Sequence, residues 1–317
     1  MKIGYFLSCE EFTPAELVAQ ARAAEQAGFH GLWISDHFHP WNDEQGESPF
    51  VWSVIGALSE ATERMAVTTG VTCPTIRLHP AIVAQAAATS AVMLEGRFNL
   101  GVGSGEALNE QIVATDWPAA DERLEMLEEA IEVMRSLWSG EVLHHRGRHY
   151  EVRHARIYTL PDEPPPVLMS GFGPKATDLA ARIADGYCTT GPDAELIGRF
   201  RDGGGDGKPV HAGAKVCWAP DEAEARRTVH RIWPNESLPG ELAQVLSTPE
   251  HFMQACELVT EEMVAESVPC GPDVEKHVEW FRKFEEVGVD ELYVHQIGGH
   301  HDEFFERYAR EVLPQFG

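Results

Sequence analysis

Short runs of β-branched and aromatic residues alternate along the chain with segments whose apolar positions recur every three or four residues. The first run, Lys2–Ser8, reads as a strand. The segment after it, Thr13–Gly28, reads as a helix with both ends marked: Thr13 caps it, Pro14 takes the first helical position, Glu16 completes a capping box and Gly28 stops it. Further strands are expected at Gly31–His37, Ala66–Thr72, Phe98–Gly103, Pro166–Phe172, Tyr187–Thr190, Val210–Trp218 and Glu291–Gln296. Helices are expected near Val51–Arg64, Pro80–Leu94, Asp121–Trp138, Lys175–Ala184, Ala194–Asp202, Glu222–Trp233, Val274–Gly288 and Glu303–Leu313.

Eight strand-then-helix units imply a parallel sheet with right-handed crossovers. In a chain of 317 residues that count favours a closed (β/α)8 TIM barrel over an open doubly wound sheet. No GxGxxG follows the first strand, which removes the usual dinucleotide fingerprint there. We expect one barrel domain over 1–317, with an excursion near 143–160 and an insertion near 234–271 that break the rhythm, and a flexible connector at Gly203–Gly207.

Charge narrows the partners. The formal net charge is -26, from 25 Lys and Arg against 51 Asp and Glu. A nucleic-acid surface needs clustered cations, and an anionic membrane surface attracts them too, so both partners are excluded. The 43% hydrophobic content excludes a disordered acidic tail. No signal-peptide pattern opens the sequence, no stretch is apolar enough to span a bilayer, and six scattered cysteines form no CxxC pair. A cytoplasmic protein with reduced thiols is expected.

In such a barrel, chemistry gathers on the loops after the strands. After the second strand stand Asp36, His37, His39 and Trp41 within Ser35-Asp36-His37-Phe38-His39-Pro40-Trp41. Asp36 and His37 face one way only if the strand has ended before them. His37 and His39 alone do not make a metal site, and no metal is expected. After the fourth strand, Gly101-Val102-Gly103-Ser104-Gly105-Glu106 carries alternating glycines that let backbone approach a flat ligand or phosphate, and Glu106 could serve as acid or base if burial raised its pKa. Gly171, Phe172 and Gly173 precede a helix start suited to an anion. Gly70, Val71 and Cys73 suggest constrained backbone beneath a ligand. His144 and His145 read as an exposed loop; His300 and His301 follow the last strand on the rim.

Taken together, Ser35–Trp41, Gly96-Arg97-Phe98 and Gly101–Glu110 resemble the luciferase-like flavin and deazaflavin barrels, and more narrowly their F420-dependent oxidoreductases of the glucose-6-phosphate dehydrogenase type. The likeness runs from Ile3 to about Gly186 and again over the last two strands. It implies coenzyme F420 across the barrel mouth, with FMN as the alternative cofactor. It implies that Asp36 contacts the deazaflavin edge, that His37 is the base or charge stabiliser, that Trp41 flanks the reacting carbon and that Glu106 is the acid toward the ring. Glu10 and Asn109 match further pocket positions, Glu10 toward the substrate. A non-proline cis bond would fall at Gly70-Val71, and Gly171 and Gly173 would hold the coenzyme's phosphate tail. Family members are often homodimers.

One departure bears on the substrate. Where the sugar-phosphate enzymes place cations, this chain has Thr190-Gly191-Pro192-Asp193, a stretch from Cys256 to Glu275 without Lys or Arg, and Val289-Asp290-Glu291. A dianion is repelled from such surroundings. The expected reaction is therefore hydride transfer with a small uncharged alcohol, aldehyde or ketone. An FMN-dependent monooxygenase and a non-catalytic cofactor-binding barrel are the rival readings.

Overall fold

A computed structural model describes residues 1–316. Eight parallel strands close into a barrel: β1 (Lys2–Leu7), β2 (Gly31–Ile34), β3 (Ala66–Thr69), β4 (Phe98–Val102), β7 (Val167–Ser170), β8 (Gly186–Thr189), β9 (Val210–Val216) and β10 (Glu291–Gln296). Lys2 pairs with Glu291 across the seam, so the last strand lies beside the first. Between β4 and β7, β5 (Leu143–Arg146) and β6 (Glu151–Ala155) form an antiparallel hairpin, which is what the excursion near 143–160 contains.

Helices α1 (Pro14–Ala27), α2 (Val51–Ala61), α3 (Pro80–Met93), α5 (Ala120–Leu137), α6 (Pro174–Ile183), α7 (Ala194–Phe200), α8 (Glu222–Ile232), α12 (Val274–Glu286) and α13 (His301–Arg307) ring the sheet. The α1 ends follow their sequence signals. Thr13 accepts from the Glu16 amide, the Glu16 carboxylate accepts from the Thr13 amide, and Gly28 takes φ 94°. The insertion at 234–271 folds into α9 (Leu242–Val245), α10 (Pro249–Ala255) and α11 (Glu261–Ser267). A short α4 (Ala107–Glu110) follows β4 directly.

Residues 201–205 continue α7 as an irregular wide turn, in which Gly204 takes φ 114° and Arg201 bonds the Gly205 and Lys208 carbonyls. Gly205 is buried, and a side chain there would collide with Phe200 at 2.5 Å. The other four residues of the Gly203–Gly207 run, Gly203, Gly204, Asp206 and Gly207, are exposed.

Alternation along the strands separates two cores. Tyr5, Leu7, Ala212, Ala214 and Val294 face the helices. Phe6, Trp33, Leu168, Cys188 and Tyr293 fill the lumen. Trp33 stacks on Tyr293 at 4.9 Å, and no side chain fits at Gly4, where Tyr293 lies 2.4 Å from the Cβ position. The lumen is plugged, so chemistry is confined to the strand ends.

Candidate active site at the barrel mouth

β2 ends at Ile34, so Ser35–Trp41 is loop and its side chains escape strand alternation. The buried Glu10, on the loop after β1, accepts from the Ser8 hydroxyl (2.8 Å) and the Ser35 hydroxyl (2.7 Å). Its other oxygen lies 3.5 Å from His37 Nε2. Burial alone would raise the Glu10 pKa, but the His37 charge and the two hydroxyls outweigh it and hold the carboxyl below its ordinary range. His37 Nδ1 faces the His39 carbonyl at 3.2 Å. A carbonyl only accepts, so Nδ1 carries the proton and Nε2 is the nitrogen left to take one beside a carboxylate. Trp41 packs against His37 with ring centroids 4.9 Å apart, and its other side meets Phe252 of α10 at 5.0 Å.

The loop after β4 braces that after β2. Asn109 Oδ1 accepts from the Phe38 and His39 amides, and His39 Nδ1 donates to the Leu108 carbonyl at 3.1 Å. Asn109 thus holds the loop, while its Nδ2 reaches the Glu106 carboxylate at 3.5 Å. Glu106 is half-buried at the start of α4.

A buried ionic triad beneath these loops involves two residues that sequence reading passed over, Arg77 and Glu110. Arg77 donates to Asp36 Oδ1 at 2.8 Å and to the Asp36 carbonyl at 3.2 Å, and Thr72 donates to Asp36 Oδ2 at 2.8 Å. The Asp36 oxygens thus tie the β2 loop to the β3 loop. Glu110 accepts from the Arg77 amide at 2.7 Å, and its other oxygen is 3.6 Å from Arg77 Nε. One guanidinium faces two buried carboxylates. Burial pushes Glu110 up, Arg77 pulls it down less, and Glu106 and Asp36 push it up further, to about 7. No local motif marks such a pair; its burial arises only when two loops and α4 meet.

The alternating glycines have a packing reason. A side chain at Gly101 would sit 1.9 Å from the Thr69 carbonyl, one at Gly103 2.7 Å from Ser170 Oγ, and one at Gly105, whose φ is 79°, 2.6 Å from Cys73 Sγ. Neighbouring strands and loops fill the position a side chain would take at each of these glycines, and the half-buried Ser104 lies between Gly103 and Gly105. Cys73 is buried and 3.0 Å from Thr75 Oγ1. The Gly70-Val71 bond is cis, and Gly70 N donates to the Ile34 carbonyl at 2.8 Å. On the far side of the mouth, Gly171 packs on the start of α6, Phe172 is exposed, and nothing lies within 4 Å of a side chain at Gly173 or Gly191.

A second network was also missed. Glu11 accepts from Gly298 N (3.0 Å) and Trp233 Nε1, and lies 2.7 Å from His295 Nε2. The rim histidines are occupied elsewhere: His300 contacts Glu224 at 3.0 Å and His301 packs on Phe12. His145 binds Glu129 on the outer hairpin. Glu291 opens β10, so it lies at the opposite end of the barrel from the mouth, beside Lys2, His30 and His211. Its charge cannot repel a substrate, which removes the 289–291 segment from the argument against a sugar phosphate. Among the described residues no group of three or more His, Cys, Asp or Glu is placed to hold a metal ion. Two surface cavities, one beside Glu222 and Lys276 and one beside Glu125 and His145, lie on the outer elements away from the mouth.

The family model for luciferase-like monooxygenases matches residues 1–291. The chain belongs to the luciferase-like monooxygenase family. Its relatives in that family include F420-dependent glucose-6-phosphate dehydrogenases. The one from Microbacterium testaceum is 36% identical over 99% of this chain and 97% of its own length, and the one from Mycobacterium avium is 34% identical over 99% and 98%. Among solved structures, an F420-dependent secondary alcohol dehydrogenase holding an F420-acetone adduct superposes with a TM-score of 0.91 at 29% identity, covering 98% of each chain. The F420-dependent tetrahydromethanopterin reductase of Methanopyrus kandleri, at 19% identity and a TM-score of 0.80 over the whole of both chains, shares the fold. No described helix is long and apolar enough to cross a membrane.

Proposed function

We propose that this protein is an F420-dependent oxidoreductase that moves a hydride between the coenzyme and a small uncharged alcohol, aldehyde or ketone, and that glucose-6-phosphate is not its substrate. The observation carrying this reading is the Glu10–His37–Trp41 arrangement: an imidazole whose tautomer leaves Nε2 as acceptor, a buried carboxylate beside that nitrogen, and an indole walling it. The mouth fits the group. Open backbone at Gly173 and Gly191 leaves room for a phosphate tail, and the 70–73 and 103–105 backbones line the opposite side.

The residues that would hold the coenzyme are Gly70, Val71, Cys73, Gly103, Ser104, Gly105, Gly171, Phe172 and Gly173, with Asp36 and Asn109 acting by fixing the loops. When bound, F420 supplies the carbon that accepts or releases the hydride. His37 Nε2 takes the substrate's hydroxyl proton, and Glu10 stabilises the imidazolium so formed. Glu106 serves as the acid on the cofactor side. Trp41, pressed between His37 and Phe252, excludes water. A cytoplasmic place fits the free thiols, and a homodimer is what the family resemblance implies.

The test is stopped-flow bleaching of oxidised F420 with isopropanol. His37→Ala and Glu106→Gln each slow the step about 10²–10⁴-fold. Undiminished transfer in both variants removes these roles, and tight FMN binding without F420 binding overturns the cofactor choice.

A further inference from the structure

The mouth contains one cation absent from the sequence argument about phosphate. Lys215 stands next to the C-terminal end of β9. Its neighbours Ala214 and Val216 pack on the helix-facing core, whereas Gly213, two positions back, abuts Trp33 and Phe6 of the lumen. Alternation therefore places Lys215 on the lumen face, at the top layer, directly across from His295 in register. Its ammonium lies 2.6 Å from the Glu236 carboxylate, contributed by the insertion, and 4.4 Å from the centre of the Trp233 ring. Trp233 donates to Glu11 and shares an apolar cluster with Trp41, so this pair borders the same space as His37. Both side chains are largely shielded, with 16% and 30% exposure.

We propose that Glu236 is a specificity-determining residue: its carboxylate occupies Lys215 in place of an anionic substrate group, and so keeps the mouth selective for neutral substrates. An ammonium held by an ion pair and an aromatic face has no charge left to offer, and an entering anion would have to displace Glu236 while being repelled by it. Two further buried carboxylates reinforce this: Glu11, 2.7 Å from the His295 that stands across from Lys215, and Glu10, 3.5 Å from His37. Removing the Glu236 charge frees Lys215 without touching Glu10, His37, Trp41 or Glu106.

The inference rests on the oxidoreductase reading, and two readouts separate them. Calorimetric titration of the cofactor-free protein with β-hydroxybutyrate needs no turnover: Glu236→Gln binds it at least about tenfold more tightly than the wild type, and Glu236→Gln/Lys215→Met returns to the wild-type level. With F420, the ratio of kcat/KM for β-hydroxybutyrate over isopropanol rises at least about tenfold in Glu236→Gln, with isopropanol turnover held within about twofold. Equal β-hydroxybutyrate binding by wild type and Glu236→Gln overturns the assignment, as does tighter binding that survives loss of Lys215. Failure of the wild type to turn over any alcohol with F420, while the titration behaves as stated, sinks the activity and leaves the selectivity device standing.

Discussion

Replacing Glu110 with glutamine tests whether the mouth rests on a buried excess of negative charge. Arg77 faces Asp36 at 2.8 Å and Glu110 at 3.6 Å, and the closer carboxylate takes most of its charge. Glu110, fully enclosed, is left to protonate near neutrality, at about 7 against an ordinary 4.5. The folded state thus binds a proton that the unfolded state has already released between these two values, so stability falls as pH rises through that window. A displacement of this size corresponds to about 3 kcal/mol, present in full below the unfolded value and lost above the folded one. Glutamine does not titrate. Urea unfolding followed by tryptophan fluorescence from about pH 5 to about pH 8 should therefore show Glu110→Gln gaining on the wild type by up to about 3 kcal/mol. Any constant offset reports the changed contact with the Arg77 amide; the slope reports the proton. A difference between the two proteins that stays flat across the range refutes the argument.

Two further outcomes follow from the same geometry. Ser35→Ala strips a donor from Glu10 and an acceptor from the Cys9 amide, costing about 1–3 kcal/mol in denaturant unfolding. The Glu10 pKa then rises, so the acid limb of the rate profile moves to higher pH, because the carboxylate that supports a protonated His37 is lost sooner as pH falls; an unmoved limb removes Glu10 from the proton path. Gly103→Ala places a methyl 2.7 Å from Ser170 Oγ and 2.8 Å from Val71 Cγ2 and lowers stability by about 1–3 kcal/mol, read as a drop in Tm. An unchanged Tm refutes the crowding argument at Gly103.

The order of elements and much of the mouth were legible in the chain itself. Thr13, Glu16 and Gly28 act within a few residues of one another, so their cap and stop needed no tertiary context. The loop positions of Trp41 and Glu106 followed from where apolar runs end, whereas the strand expected through His37 stops at Ile34; the cis bond at Gly70-Val71 followed from a resemblance carried by residues nearby in sequence. What only the closed barrel decided depends on distance through space. Arg77, Glu110 and Asp36 are separated by many residues, on two loops and α4, and their charge balance exists only once burial strips away water. Gly101 and Gly103 are small because adjacent strands crowd them, which no single strand can announce. Glu291 and Lys215 lie on neighbouring strands, yet parallel pairing sends one to the floor and the other to the mouth. Sequence determines which residues can carry charge; the fold determines which of those charges meet, and at which end of the barrel.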